Sequence, residues 1–464
     1  MKGSSGLSRR ILKIFKRILR EPCQSGVLPM YQVVQPRILC MGIGSLQSIE
    51  RIIQQRDPKR ILIVTGPNVQ RLGILEKALK AMGDYAQRAE IFINPTPEPN
   101  VAIVEECAQV IREKGFDLIV GLGGGSPLDV AKGAAVVAVH EGKMRPLFGR
   151  NLLKRTGIPT ILIPTTAGSS TETTQAIVVG VPEEGTKKSI WDPRTVPEVA
   201  IVDPELSRQM PPQLTAETGL DALVHAVEGH TSRFANPFTR MYTGEAIRLI
   251  ARYLIRAYRD GSDMEAREAM ARAATLAGIG MTNSGLGAIH ALALVLDYKG
   301  FTHCQSLAVL APWVLCFNAP GHEEIYAEVA EALGEKVQGL SAERAARKAS
   351  DALLRLQEAM NISPYLRDYG IKKEDLNSLA LRAHEVGQRL MPMNIKEVQP
   401  EDAVAIFQEA FSPESKCPRA KGKGRMIQKM NTARTIPLPA NPGRHGGIRN
   451  HADCRNKPRA GGKT

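Results

Sequence analysis

The sequence predicts an α/β half built on a parallel sheet, followed by an all-helical half. Three observations carry that prediction. Short β-branched runs alternate with helical patterns from about residue 31 to residue 203. Strand signals stop after Pro204. From residue 211 to residue 411 one helical pattern follows another. Buried strands that alternate with helices are the mark of a parallel sheet covered on both faces.

The strand candidates are RILIVTG (60–66), AEIFIN (89–94), FDLIVGLGGGS (116–126), TILIPTT (160–166) and VAIVD (199–203). Between two of them NVAIVEECAQVIREKG reads as a helix, with Asn100 placed to cap its start and Gly115 its end. In the second half EAREAMARAATLAGIGM, EEIYAEVAEALG, SAERAARKASDALLRLQEAM and PEDAVAIFQEAF carry the helical period. These signals divide the chain into residues 1–30, 31–205, 206–411 and 412–464.

A chain of 464 residues buries a large core. Its 43% hydrophobic and 23% charged residues exclude a disordered or collagen-like body. No run reaches the roughly 18–20 apolar residues of a membrane span. The formal charge of +14 belongs to the ends: residues 1–30 carry +6 and residues 412–464 carry +11, which leaves −3 for the body. The body is therefore not read as a nucleic-acid binder. Residues 8–20, SRRILKIFKRILR, set Ile11, Ile14, Phe15, Ile18 and Leu19 at helical spacing between bases. Such a basic amphipathic helix suits weak contact with an anionic membrane, a targeting role, or a poorly ordered extension. Beyond Phe411 the chain is rich in Gly, Pro and Arg, and disorder is predicted there. Seven dispersed cysteines without a CxxC pair fit a reducing compartment, so a cytoplasmic protein is expected.

DLIVGLGGGSPLDVAKGAAVV (117–137) runs from a strand into Gly123, Gly124 and Gly125 and then into a helix. Ser126 is placed as its N-cap, Pro127 as its first residue and Asp129 in its first turn. Glycines let a backbone approach a phosphate, and the N–H groups of a helix start favour an anion. A cofactor pyrophosphate is expected here, although the glycines alone also fit a tight strand-to-helix turn. The spacing is neither GxGxxG nor a Walker A loop. IPTTAGSSTETTQA (163–176) follows another strand and offers Thr and Ser hydroxyls to the same crevice, past the carboxyl ends of the strands.

TAETGLDALVHAVEGHTS (215–232) places Asp221 and His225 four apart, on one helical face. GAIHALALVLDYKGFTH (287–303) adds His290 and, past the break YKGF, His303. One carboxylate and three imidazoles suit a divalent metal with a position left for substrate. Each residue alone has a blander reading, as a cap or a hydrogen-bonded core residue. Behind a nucleotide half, the metal reading is the better one.

The order GGGSPxDxAK, IPTTAGSSTE, VDP and GxDAxxHAxE, followed by the paired histidines, resembles the iron-containing (group III) alcohol dehydrogenase family over roughly residues 31–411. The resemblance implies a dinucleotide-binding α/β domain, a helical metal domain and an active site in the cleft between them. By motif, Asp221, His225, His290 and His303 match the metal ligands and form the catalytic centre. Gly124, Gly125, Ser126, Asp129, Thr165, Thr166 and Ser169 match cofactor-binding positions, and Lys187 matches a lysine near the nicotinamide ribose. The implied activity is hydride transfer between NAD or NADP and a small alcohol, aldehyde or ketone, with Fe2+, alternatively Zn2+, as a Lewis acid. A homo-oligomer is implied as well. Alternatives within the resemblance are a hydroxyacid–oxoacid transhydrogenase and a maleylacetate-reductase-like enzyme; outside it stands a non-enzymatic binder of nucleic acid or membrane through the basic ends. Three departures mark this chain. Leu294 stands where the family usually has a second histidine. The segment before His303 is one residue short, and Cys304 replaces a glycine. Gly66 follows the first nucleotide strand where many NAD-using members have an acid, which removes a repulsion against a 2′-phosphate.

Overall fold

The computed structural model describes residues 31–412 apart from Pro97. The expectations for segment 8–20 and for the basic tail lie outside these residues. The strands are β1 (Ile38–Met41), β2 (Ile61–Thr65), β3 (Ala89–Ile93), β4 (Leu118–Gly123), β5 (Gly149–Arg150), β6 (Thr160–Pro164), β7 (Ala176–Val181), β8 (Thr186–Trp191) and β9 (Val199–Val202). The helices of this half are α1 (Ile49–Gln54), α2 (Pro67–Arg71), α3 (Ile74–Ala81), α4 (Val101–Lys114) and α5 (Gly125–Val137).

Six strands form one parallel sheet in the order β1-β9-β6-β4-β2-β3. Every residue of β2, β4 and β6 is buried, as strands covered on both faces require. Along β2 the side chains alternate between two cores. Leu62 and Val64 pack with α4 and α5, whereas Ile61 and Ile63 pack with α1 and α3. From β2 the chain passes to β3 on one side and then returns to β4 on the other. The order therefore reverses between the carboxyl ends of β2 and β4, which is where such sheets take a ligand. Asn100 caps α4 through a bond from the Ile103 N–H at 3.0 Å, and Gly115 ends it at φ 69°, as the sequence predicts.

β7 and β8 form an antiparallel hairpin that was not read from the sequence, and β5 joins it in a second, three-stranded sheet. The turn passes through Pro182–Glu184 and Gly185, the latter at φ 58°. Polar residues such as Lys187 and Ser189 interrupt the apolar pattern of β8, which hid it.

Strands end at Val202, and helices run from Pro212 onward. These are α6 (Pro212–Thr231), α7 (Pro237–Arg259), α8 (Met264–Ser284), α9 (Ala288–Ala293), α10 (His303–Asn318), α11 (Glu323–Ala332), α12 (Ala342–Ala359), α13 (Leu376–Val386) and α14 (Pro400–Phe411). α6 is buried from Thr215 to Thr231 and packs against α7, α8 and α10. No single helix among the described residues is long and apolar enough to cross a membrane. The loop after β6 touches α6 closely. A Cβ on Gly168 would lie 2.7 Å from Thr218 Cβ and 2.9 Å from the Thr218 carbonyl oxygen. Glycine at that point lets the α/β half meet the helix that carries Asp221 and His225.

Candidate active site

A cavity of about 700 Å3 runs between the two halves. Gly66, Gly124, Gly125, Ser126, Asp129, Thr165, Thr166, Ser169 and Lys187 line it, and so do Asp221, His225, His290 and His303. Every residue expected from the sequence to hold the metal or the cofactor therefore lines one cleft.

At its nucleotide end the structure moves the helix start two residues earlier. α5 starts at Gly125 with Gly124 as N-cap, so Ser126 lies inside the first turn and caps nothing, Pro127 is the third helical residue rather than the first, and Asp129 falls past the first turn. Its hydroxyl instead accepts from Asn94 Nδ2 at 2.8 Å, tying the helix start to the loop after β3. The helix begins earlier because Gly124, at φ −76° and ψ −169°, is the last extended residue of the turn. A Cβ on Gly125 would sit 2.9 Å from Ser169, so the glycine permits the two loops to close on each other. Asp129 is buried beneath them and accepts from the Val178 N–H at 3.4 Å. Burial raises its pKa, against the pull of Lys132.

At the other end Asp221 and His225 stand one turn apart on α6, with His225 Nε2 3.4 Å from Asp221 Oδ1. His290, on α9, stacks on the His225 ring at 4.8 Å between centroids and 15° between planes. One ligand atom from each of the three lies within 4.8 Å of the others. Asp221 Oδ1, His225 Nδ1 and His290 Nε2 are all buried without a hydrogen-bond partner among the described residues. An unpaired buried polar atom costs ~1–3 kcal/mol, and each residue of this cluster carries one, which marks it as a place for an ion. A carboxylate oxygen and imidazole nitrogens are the donors a divalent transition metal takes. Burial lowers the His225 pKa to about 4, so this ring is neutral and has a lone pair to offer.

His303 stands apart from that set of three. Its ring centroid is 5.6 Å from that of His290, and its Nδ1 faces Asp297 Oδ2 at 3.1 Å. Nε2 is the nitrogen left for another partner. Gly300, at φ 89°, and the capping box of Thr302 with Gln305 start α10 at His303 and so aim the residue back at α9.

Two acids that the sequence reasoning passed over hold these groups. Glu228 Oε2 is 2.6 Å from His290 Nδ1, and its Oε1 accepts from the Ile289 N–H at 2.6 Å. A carboxylate on Nδ1 places the proton there and leaves Nε2 with its lone pair. Glu228 was visible in principle, since it follows Asp221 by seven and His225 by three on the same helical face. Asp297 gave no such signal. It accepts from Ser306 Oγ at 2.7 Å, meets His303, and pairs with Lys187 Nζ at 2.9 Å. Burial would raise its carboxyl pKa, but His303 and Lys187 outweigh that and hold it well below the usual carboxylate range. Lys187 also reaches Glu98 at 2.9 Å; burial works against its charge, yet Asp297 and Glu98 prevail and raise its pKa. Leu294 and Cys304 line the cleft beside these groups.

Comparison with known proteins agrees with this geometry. Residues 36–204 match the family described as iron-containing alcohol dehydrogenase. Residues 215–411 match the C-terminal part of the Fe-containing alcohol dehydrogenase family. The chain is 36% identical to the 1,3-propanediol dehydrogenase of Klebsiella pneumoniae over 82% of its own length and 99% of that protein. It is also 36% identical to the NAD-dependent methanol dehydrogenase of Bacillus methanolicus, over 75% of this chain and 92% of the relative. A solved structure of a 1,3-propanediol oxidoreductase superposes with a TM-score of 0.78 at 36% identity, covering 82% of this chain and all of that one.

Proposed function

The chain belongs to the iron-containing alcohol dehydrogenase family, and from that premise we propose that this cleft catalyses metal-dependent hydride transfer between NAD(H) and a small alcohol or aldehyde. The observation that carries the reading is the clustering of buried Asp221, His225 and His290, with one ligand atom of each within 4.8 Å of the others, in a cleft that continues to the glycine loop. In this reading Asp221, His225, His290 and His303 hold the metal, iron by family and zinc by donor chemistry. The nucleotide belongs to residues 31–205 and the metal to residues 206–411. A bound metal supplies Lewis acidity toward the substrate oxygen, and the nicotinamide supplies or accepts the hydride.

The chain's own residues do the rest. Glu228 fixes the His290 tautomer. Asp297 holds His303 and Lys187 at once, and Lys187 places a cation beside the cofactor end of the cleft. Gly124, Gly125 and the start of α5 offer backbone N–H groups to a pyrophosphate. Thr165, Thr166 and Ser169 face it from the loop after β6. Leu294 carries no proton at the place where the family usually has a histidine, so a proton leaves by cofactor hydroxyls or water. A homo-oligomer and a cytoplasmic location complete the reading, supported by the family resemblance and by the cysteine pattern.

The test is His290→Ala. It is expected to abolish stoichiometric binding of iron or zinc together with NAD-linked oxidation of short alcohols. Full metal occupancy in that variant would sink the ligand assignment.

A further inference from the structure

Beyond Lys187, one strand face of the cleft has no role in the chemistry above. Lys187, Ser189 and Trp191 alternate along β8, so they share one face, and all three line the cavity. Lys187 is joined through Asp297 to the metal side. Successive members of this row lie roughly 7 Å apart, from the rise of a strand. Arg389 meets the row at Ser189, donating from Nη1 to the serine hydroxyl, and it also lines the cavity. Arg150 lies over the Trp191 ring, 5.2 Å from its centroid, and donates to the Met393 thioether at 2.9 Å, a weak acceptor. Among the described residues neither guanidinium forms an ion pair with a carboxylate.

Arg389 comes from the segment that packs on α9, and Arg150, at the end of β5, reaches the same segment through Met393. A Cβ on Gly387, two residues before Arg389, would lie 2.7 Å from the carbonyl oxygen of Ala291, the neighbour of His290. Asn394, next to Met393, accepts from the Ala288 N–H at the start of α9 at 3.2 Å. The pyrophosphate loop at Gly124 and Gly125 lies in the other half. Apolar Met281, Leu286 and Leu390 line the cavity from the helical half.

A guanidinium carries five donors, and only one from each arginine is used on the contacts above. Arg389 and Arg150 are both reached by solvent, and partial desolvation at the cleft wall together with the like charge of Arg150 pushes the Arg389 pKa down to about 10. Two cations crowded without an acid are relieved by an anion that enters with the substrate. A carboxylate or sulfonate fits the planar fork of Arg389.

We propose that Arg389, with Ser189 and the Arg150–Trp191 stack beside it, forms a subsite for an oxyanion carried by the substrate. The preferred substrates are then aldehydes with a carboxylate or sulfonate a few carbons from the carbonyl, and the matching hydroxy acids. This rests on the hydride-transfer reading and narrows it. In the reducing direction the carbonyl carbon takes a hydride from NADH and the oxygen takes one proton, giving the primary alcohol and NAD+. The oxyanion is unchanged.

The test compares 4-oxobutanoate and 3-oxopropanesulfonate with neutral butanal on the metal-loaded enzyme with NADH. The wild type is expected to favour one oxyanion substrate over butanal by about tenfold or more in kcat/KM, the range of one charged hydrogen bond. Arg389→Gln lowers that ratio by about 10- to 100-fold, with the loss chiefly in KM, and Arg389→Lys falls between. Which oxyanion gains more identifies its class. Calorimetric binding of glutarate, which cannot be reduced, reads the subsite without turnover and weakens in Arg389→Gln. A wild-type ratio near one for both oxyanions, or a ratio that Arg389→Gln leaves unmoved, overturns the subsite. Butanal turnover without glutarate binding overturns the subsite and spares the hydride-transfer reading. Glutarate binding through Arg389 without turnover of any aldehyde does the reverse.

Discussion

Glu228→Gln tests how the metal group is held. In the native protein each carboxylate oxygen takes one donor at 2.6 Å, Ile289 N–H on Oε1 and His290 Nδ1 on Oε2. Glutamine has one acceptor, so it serves only one of the two. If its oxygen keeps the Ile289 N–H, its amide faces Nδ1, and the imidazole proton moves to Nε2. That is the buried atom with no partner of its own. A protonated Nε2 has no lone pair for a metal. Loss of a hydrogen-bonded carboxylate behind a ligating histidine costs about 10–100-fold in metal affinity, or ~1.4–2.7 kcal/mol at 1.4 kcal/mol per tenfold. If the oxygen keeps His290 instead, the amide opposes the Ile289 N–H. Metal affinity then survives, and the cost of ~1–3 kcal/mol appears in the stability of the metal-free fold. The assay is a competitive chelator titration with Zn2+ or anaerobic Fe2+, paired with urea unfolding of the metal-free protein. A variant within twofold of wild type in affinity, and within about 0.3 kcal/mol in stability, would refute the reasoning.

Gly66 lines the cavity, has an ordinary extended backbone at φ −115°, and has nothing within 4 Å of an added Cβ. Wild type is therefore expected to use NADP(H) within about tenfold of NAD(H), and Gly66→Asp to shift kcat/KM toward NAD(H) by restoring a ribose acceptor and a repulsive charge. A wild type hundreds-fold selective for NAD(H) and unmoved by the substitution would place the determinant elsewhere. Gly168→Ala is expected to lose about 1–3 kcal/mol in urea unfolding, because its Cβ meets the Thr218 backbone, which cannot yield as a side-chain tip does. Burial raises the Glu172 pKa from 4.5 to about 7, with Lys132 opposing. The folded state thus keeps a proton that the unfolded chain releases, stability falls as pH rises from about 4.5 to 7, and Glu172→Gln should flatten that slope. A protein of residues 31–411 should keep its turnover per bound metal; a folded, metal-loaded but inactive one would show that the basic ends take part.

What was legible in the sequence obeys a short period. Five strands of the main sheet and the Asn100–Gly115 helix are local patterns of buried runs, caps and glycines, and the structure has them where the patterns put them. Asp221 and His225 were legible because four residues is one helical turn. Strand β1 gives little pattern because its four residues lie at a sheet edge, three half-buried and Leu39 exposed. β8 gives little pattern in the sequence because Lys187 and Ser189, which face the cleft, interrupt its apolar alternation. The N-cap lies two residues before Ser126, because Gly124 and Gly125 serve equally as the end of a turn and the start of a helix.

The supporting groups were hidden for a different reason. Glu228 and His290 are 62 residues apart, and Asp297 reaches back to Lys187 across the whole helical boundary. A carboxylate has the same letter whether it caps a helix, solvates a surface or fixes an imidazole. Only its partner distinguishes these roles, and the partner is set by packing. The packing itself rests on small residues: Gly168 brings the α/β half onto α6, and Gly387 brings the Arg389 segment onto α9. Glu228 then orders His290 from within the helical half, whereas Asp297 joins a histidine of one half to Lys187 of the other. A disturbance at Glu228 stays with His290 and, in the proposed reading, with the metal. A disturbance at Asp297 reaches His303 and Lys187 together, because one carboxylate holds both.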